Sequence, residues 1–281
     1  MKGGVGGTLF VVATPIGNLE DITLRALRVL REVAVVAAED TRRTGNLLRH
    51  YEIRTPLLSL HHHNEHERVA VVLRRLEKGE SVALVSDAGT PGISDPGAKL
   101  VKAARDAGFS VEPIPGSSAV TAALSASGLN ADRFVFAGFP PTRSKDRKLW
   151  FEWVASQIAV PVICFEAPHR LRKTLEDLRI SVNRPIIVAR ELTKLHETWT
   201  SGLTAILTAP RGEYVIILAP TEGGTESRVM PEDEEIAVLF GQIAKMTTGS
   251  RKDAIRGVAS RLGISVKHVY EALERSRVSV E

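Results

Sequence analysis

The feature that most narrows what this chain can fold into is its repeated alternation of short, continuously apolar runs with stretches of helical period. "LFVVATP", "VAVVAAED" (Val33 to Asp40) and "SVALVSD" are apolar on consecutive positions, so both faces of each strand have to be covered, and "SVEPIPG" reads as a further strand. Between them, helical spacing occurs at Ile22, Ala26, Leu27 and Leu30, at Val69, Leu73 and Leu76, and at Leu100, Val101 and Ala104. Asp21 or Asn18 is available to cap the first of these helices, while Gly79 and Gly108 end the other two. Buried strands separated by helices predict an α/β fold with a parallel sheet covered on both sides.

After the Ala-rich "PGSSAVTAALSASG" the pattern resumes with "FVFAGF", "VPVICFE", "PIIVARE" and "EYVIILAP", which predicts a second α/β domain with a mixed sheet. Residues 1–115 are read as the first domain and 116–222 as the second. The polar, proline-bounded 223–233 is read as a linker, and 234–281 as a helical, helix-turn-helix-like extension. In that extension, Ser250 with Asp253 makes a capping box. Ile255, Val258, Ala259 and Leu262 form one stripe, Gly263 breaks the helix, and Ser265 recaps it. A second stripe follows at Val266, Val269, Tyr270 and Leu273.

At 281 residues the chain has room for two domains with real cores. No apolar run approaches the ~18 residues of a membrane span, and "TLFVVATPI" reads as a first strand rather than a signal-peptide core. Cys164 is the only cysteine, so no intrachain disulfide forms and a reducing cytoplasm is expected. The net charge of +4 permits an anionic partner without demanding one.

Three loops stand at strand ends: "TPIGN" (Thr14 to Asn18), "LVSDAGTPGISDPG" (Leu84 to Gly97) and "PGSSA" (Pro115 to Ala119). In open α/β sheets such loops converge on a ligand crevice. The second is neither a Walker A loop nor a dinucleotide fingerprint. It has no lysine between Asp87 and Pro96 and two acids, Asp87 and Asp95, so a neutral or cationic polar ligand suits it better than a polyphosphate. His61, His63 and His66 of "LHHHNEH" lack metal-site spacing and an assisting thiol. They read as hydrogen-bonding or substrate-contacting side chains, and no metal is expected. Two further clusters, Glu39–Asp40–Arg42–Arg43 and Glu166–His169–Arg170, pair acids with bases at strand ends, either as internal ion pairs or as catalytic groups.

Taken in order, "TPIGNLEDITLRAL", "AEDTR", "HHNE", "LVSDAGTPGISDPG", "PGSSAVTAALSASGL", "DRFVFAGFPP", "EAPHRL" and "ARELTKLHET" resemble the ribosomal RNA small-subunit methyltransferase I branch of the tetrapyrrole methylase superfamily. The resemblance runs from about Thr8 to Pro220, with the helical tail matching that branch's extension. It implies a homodimer, in the cytoplasm, that uses S-adenosyl-L-methionine to methylate the ribose 2′-hydroxyl of a cytidine in the 16S rRNA decoding centre. Carried over residue by residue, the cofactor site would comprise Pro15, Asp87, Ala88, Gly89, Thr90, Ile93, Ser117, Ser118, Ala119, Phe165, Glu166 and Leu192. His63, Glu65 and Asp40 are the candidate general bases. Arg42, Arg43, His169 and Arg170, with Arg251, Lys252, Arg256 and Lys267 of the tail, are candidates to hold RNA phosphates. The tail carries seven Lys/Arg against four Asp/Glu from Gly249 to Glu281. Two other readings stay open: a porphyrinoid or diphthamide-precursor methylase of the same fold, and a helix-turn-helix regulator whose α/β part senses S-adenosylmethionine.

Overall fold

The computed structural model describes residues 6–201, 212–221, 233–246, 251–262 and 266–278. Residues up to Thr221 form one compact unit and the remainder a second.

In the first unit, strands β1 (Thr8–Val12), β2 (Val35–Ala38), β3 (Leu57–Ser59), β4 (Val82–Val85) and β5 (Ser110–Ile114) form an all-parallel sheet in the order β3-β2-β4-β1-β5. The pleat sends alternate residues to opposite faces. Val36, Ala38, Ala83 and Val85 pack under helices α1 (Leu24–Glu32) and α2 (Thr41–His50). Val35, Ala37, Val82 and Leu84 pack under α3 (Glu65–Glu77) and α4 (Ala98–Asp106). The continuous apolar reading of these strands is therefore a two-sided core. Helix α1 begins two residues later than its apolar spacing implies. Thr23, not Asp21 or Asn18, caps it, its Oγ1 accepting from Ala26 N at 3.1 Å, while Asn18 caps a single 3₁₀ turn, Leu19–Asp21.

The second sheet contains β6 (Val135–Phe136), β7 (Val162–Glu166), β8 (Ile186–Arg190), β9 (Thr198–Ser201) and β10 (Tyr214–Leu218), ordered β6-β7-β10-β8-β9. It is mixed: β6 runs parallel to β7, whereas β10 is antiparallel to both β7 and β8. Helices α6 (Ser144–Ser156) and α7 (Leu171–Ser181) cover one face through Phe151, Val154, Leu171, Leu175 and Leu178. Helix α5 (Ala119–Ala126) packs Val120, Ala123 and Leu124 with Ile163, Ala189 and Val215 of the other.

The second unit is a trio of helices, α8 (Asp233–Met246), α9 (Arg251–Leu262) and α10 (Val266–Val278). Ile236, Ile255, Val258, Ala259, Val269, Ala272 and Leu273 form its core. The expected second stripe is corrected: Val266 and Tyr270 are exposed, and Ala272 takes the inward position, because α8 covers only the Val269–Leu273 side. The expected caps and break at Ser250, Gly263 and Ser265, and most of the expected linker, lie outside the described residues. Among the described residues no helix is long and apolar enough to cross a membrane.

Candidate active site

A cavity of about 330 Å³ opens where the strands of both sheets end in the first unit. The Ile16 loop after β1, Ala88–Asp95 after β4 and Ser118–Val120 at the start of α5 contribute from one side. Phe165–Pro168 at and just beyond the end of β7, Leu192 after β8 and Gly212–Val215 at the start of β10 contribute from the other. Of the twelve expected cofactor positions, nine line it: Ala88, Gly89, Thr90, Ile93, Ser118, Ala119, Phe165, Glu166 and Leu192. Pro15 and Asp87 instead line a smaller depression beside Arg43 and Thr44. Ser117 turns away, its hydroxyl donating to Asp21 O at 3.1 Å.

Backbone geometry sets the walls. Gly89 at φ +75° makes a two-way bridge with Thr14: Thr14 N donates to Gly89 O at 2.9 Å and Gly89 N to Thr14 O at 3.0 Å. The glycine-rich loop is thus less bare than its sequence implies, because much of it is tied down by its own neighbours. Asp87 Oδ1 accepts from Asp40 N at 3.0 Å, and its Oδ2 stands 3.4 Å from Arg43 Nη1. Across the cavity, Glu191 and Thr193 hold left-handed backbone (φ 53° and 65°), which folds the chain sharply around the buried Leu192. Asn18 N donates to Thr193 Oγ1 at 3.2 Å, joining the first loop to that corner.

The expected general bases separate. Glu65 is buried, and its Oε1 accepts from Gly97 N at 3.0 Å and from Lys99 N at 3.2 Å. It anchors the start of α4, where no side chain caps Gly97, and its Oε2 lies 3.8 Å from Lys99 Nζ. Glu65→Ala should therefore cost about 2–3 kcal/mol, a fall in melting temperature of roughly 5–10 °C. Glu65→Gln, which keeps an acceptor oxygen, should recover most of that stability together with the activity. Loss of activity in a stably folded Gln variant would restore Glu65 as a base. Asp40 caps α2, accepts from Arg42 N at 2.8 Å and pairs with the Arg42 guanidinium at 2.8 Å, which holds its carboxyl down at about 2. His63 is exposed, its ring 6.0 Å from that of His61. Among the described residues no cluster of His, Cys, Asp or Glu is arranged to hold a metal ion.

Asp95, which the sequence marked only as an acid in the loop, lines the cavity itself. Burial, then the neighbouring Glu39 carboxylate, raises its carboxyl to about 6, with Asp87 adding to the rise and the Ser86 hydroxyl and His62 opposing it. Glu39 is raised as well, by burial and then by Asp87. Glu213 and Tyr214 are further lining residues that sequence reasoning missed.

Arg170, expected to meet RNA, has its guanidinium turned inward, donating to Pro140 O and to Pro141 O and lying 3.5 Å from Glu166 Oε1. Glu166, fully buried at its side chain, also accepts from Ala167 N at 2.8 Å and from the Thr174 hydroxyl. Buried Arg147 completes the network, with Nε to Asp177 Oδ2 at 2.9 Å, Nη2 to Thr174 Oγ1 at 2.9 Å and Nη1 to Pro141 O at 3.3 Å. The network holds the Pro140–Pro141 turn beside Phe139, which walls the cavity. His169 is exposed. In the tail, Arg251 pairs with Glu274 at 3.5 Å and lies over the Tyr270 ring, and Arg256 is 3.9 Å from Asp253. Lys252 is exposed, and the Lys267 side chain lies outside the described residues.

Residues 8–207 match the family model of tetrapyrrole (corrin/porphyrin) methylases. A ribosomal RNA small subunit methyltransferase I of Synechocystis sp. is 45% identical over 275 residues, covering 94% of this chain and 96% of that one. The protein of the same name from Pseudomonas aeruginosa is 49% identical over 239 residues, 82% of each chain. The uroporphyrin-III C-methyltransferase of Thermus thermophilus, solved with S-adenosyl homocysteine, is 18% identical and superposes with a TM-score of 0.53 over 75% of this chain and 97% of its own. That likeness is one of fold. The chain belongs to the tetrapyrrole (corrin/porphyrin) methylase family, and within it to the ribosomal RNA small subunit methyltransferase I branch.

Proposed function

We propose that this protein transfers a methyl group from S-adenosylmethionine to the ribose 2′-hydroxyl of a cytidine in the 16S rRNA decoding centre, acting in the cytoplasm as a homodimer. The observation that carries this reading is the charge of the cavity. Its described lining residues include the carboxylates Asp95, Glu166 and Glu213 among apolar walls, and no cation; Arg170 and Lys194, which pair with Glu166 and Glu213, stand outside the lining. Such a site accepts a positively charged, phosphate-free ligand and repels a polyphosphate. The adenosyl and methionyl parts would be held by the Ala88–Thr90 backbone and by the apolar walls of Ile16, Phe165 and Leu192. The first turn of α5, whose cap residue Ser118 makes no side-chain hydrogen bond, offers backbone N–H groups for a carboxylate.

When bound, S-adenosylmethionine supplies a methyl group already activated on a sulfonium sulfur. The residues of the chain then have three tasks: to hold the acceptor ribose in register, to exclude water, and to take a proton from its weakly acidic hydroxyl. Asp95 is the proton acceptor in this account. It lines the cavity and, of the carboxylates that line it, it alone has no ion pair with a lysine or arginine among the described contacts: Glu166 lies beside Arg170 and Glu213 beside Lys194. His63 remains the second candidate.

The test is incubation of purified protein with labelled S-adenosylmethionine and small ribosomal subunits from cells lacking the enzyme, followed by mapping of ribose methylation. One labelled cytidine 2′-oxygen in the decoding centre is expected. Label on a porphyrinoid, or none on rRNA, would overturn the reading, and sedimentation of the protein alone tests the dimer.

A further inference from the structure

The two helical faces of the parallel sheet differ in charge. Helices α1 and α2 carry six arginines against one glutamate, whereas α3 and α4 carry six Lys/Arg against four Asp/Glu. The arginines of the first face are not scattered. Two adjoining grooves, of about 720 and 410 Å³, flank the segment from Glu52 to Thr55 and share it as a common wall. Arg49 lines the first groove, Arg31 the second and Arg54 both. Arg31 donates to Tyr51 O at 3.1 Å and Arg49 to Asn46 Oδ1 at 2.9 Å, so neither is neutralised by an acid among the described contacts. Arg54 is exposed and has no described partner at all. Glu52 is the one acid lining either groove.

Helix α2 connects this surface to the active site. Its first turn begins beside the loop after β4, where Arg43 meets Asp87, and its last turn carries Arg49 and His50. Ten residues of helix place these ends about 15 Å apart, a span of two to three nucleotides of extended strand.

Resting on the rRNA-methylating reading above, we propose that the Arg31–Arg49–Arg54 groove is an RNA-docking surface that binds the phosphodiester backbone flanking the target nucleotide. Exposed guanidiniums that face solvent over a depression suit phosphate oxygens and carry no base readout. The surface therefore contributes affinity and register rather than sequence choice.

The test compares wild type with the triple variant R31E/R49E/R54E and with a control reversed on the opposite face, R74E/K78E/R105E. The readouts are affinity for transcribed small-subunit rRNA from 50 to 200 mM KCl and methyl transfer to small ribosomal subunits. The groove variant should bind at least tenfold more weakly at 150 mM salt. Its plot of log affinity against log salt should flatten by roughly two to three, with KM raised and kcat within about twofold. The control should track wild type. If the triple variant unfolds early, Arg54→Glu alone, which breaks no described contact, should still weaken binding and flatten the slope by about one. Wild-type affinity and slope in the groove variants would overturn the proposal. Absence of methyl transfer by wild type would instead overturn the reading on which it rests.

Discussion

Asp95→Asn is expected to lower the rate of methyl transfer by about 10²–10⁴-fold while making the protein more stable at neutral pH. The two effects have one cause. Asp95 is half-buried and faces Glu39 and Asp87, with His62 compensating only in part and Arg43 engaged by Asp87. Its carboxyl is raised to about 6, above the ordinary 3.8, so the folded chain binds this proton more tightly than the unfolded chain. Stability from this group is fully present below about pH 4 and is lost as pH rises through about 6. Asparagine removes that loss. The gain above pH 6 should be on the order of 1 kcal/mol once solvent screening of a half-buried group is allowed for. In the wild type, log kcat should climb with pH up to about 6 and then level off as the base ionises, whereas the Asn variant should show no such climb. Stopped assays from pH 5 to 8, with thermal unfolding over the same range, check both signs. A variant with a wild-type rate, or with donor affinity lost and kcat intact, would move the role to another residue, His63 first.

Arg147→Ala is expected to destabilise the second sheet's half of the unit by about 3 kcal/mol, as much as truncating a large core side chain there. It strips the buried Thr174 hydroxyl and Asp177 of their shared cation and leaves Arg170 as the remaining donor to the Pro141 carbonyl. Because Thr174 in turn donates to buried Glu166, the loss should reach the cavity wall at Phe139 and weaken donor binding too. Differential scanning calorimetry should show a fall of roughly 6–12 °C. A melting temperature within 2 °C of wild type would mean that water or a neighbour replaces the guanidinium without loss.

The architecture was legible in the sequence wherever both faces of a strand are buried. β1, β2, β4, β7, β8 and β10 announce themselves as apolar runs, and helices α3 and α4 by their stripes, whereas the edge strand β5 carries exposed Glu112 and Pro113 and is no such run. Helix α2 was not legible, because its inward contacts come chiefly from Thr44 and Leu48 amid polar residues, and its Asp40 cap read as a catalytic acid. The direction of β10 was hidden for a different reason. Apolar composition does not encode polarity, so the cavity was sought beyond strand ends, whereas antiparallel β10 brings its beginning, Glu213 and Tyr214, to the site. The roles of the acids were the least legible. Glu65, Asp87 and Asp95 look alike in sequence. The first two are taken by the amides of Gly97 and Asp40, and only three-dimensional neighbours leave Asp95 for chemistry.

The central claim is that the cavity at the strand ends selects a sulfonium-bearing donor over a phosphate-bearing nucleotide, and titration calorimetry tests it most directly. S-adenosylmethionine and S-adenosyl homocysteine should each give saturable heat at one site per chain, with ATP at the same concentration giving none. Saturable heat from ATP with none from either of the other two would contradict the account.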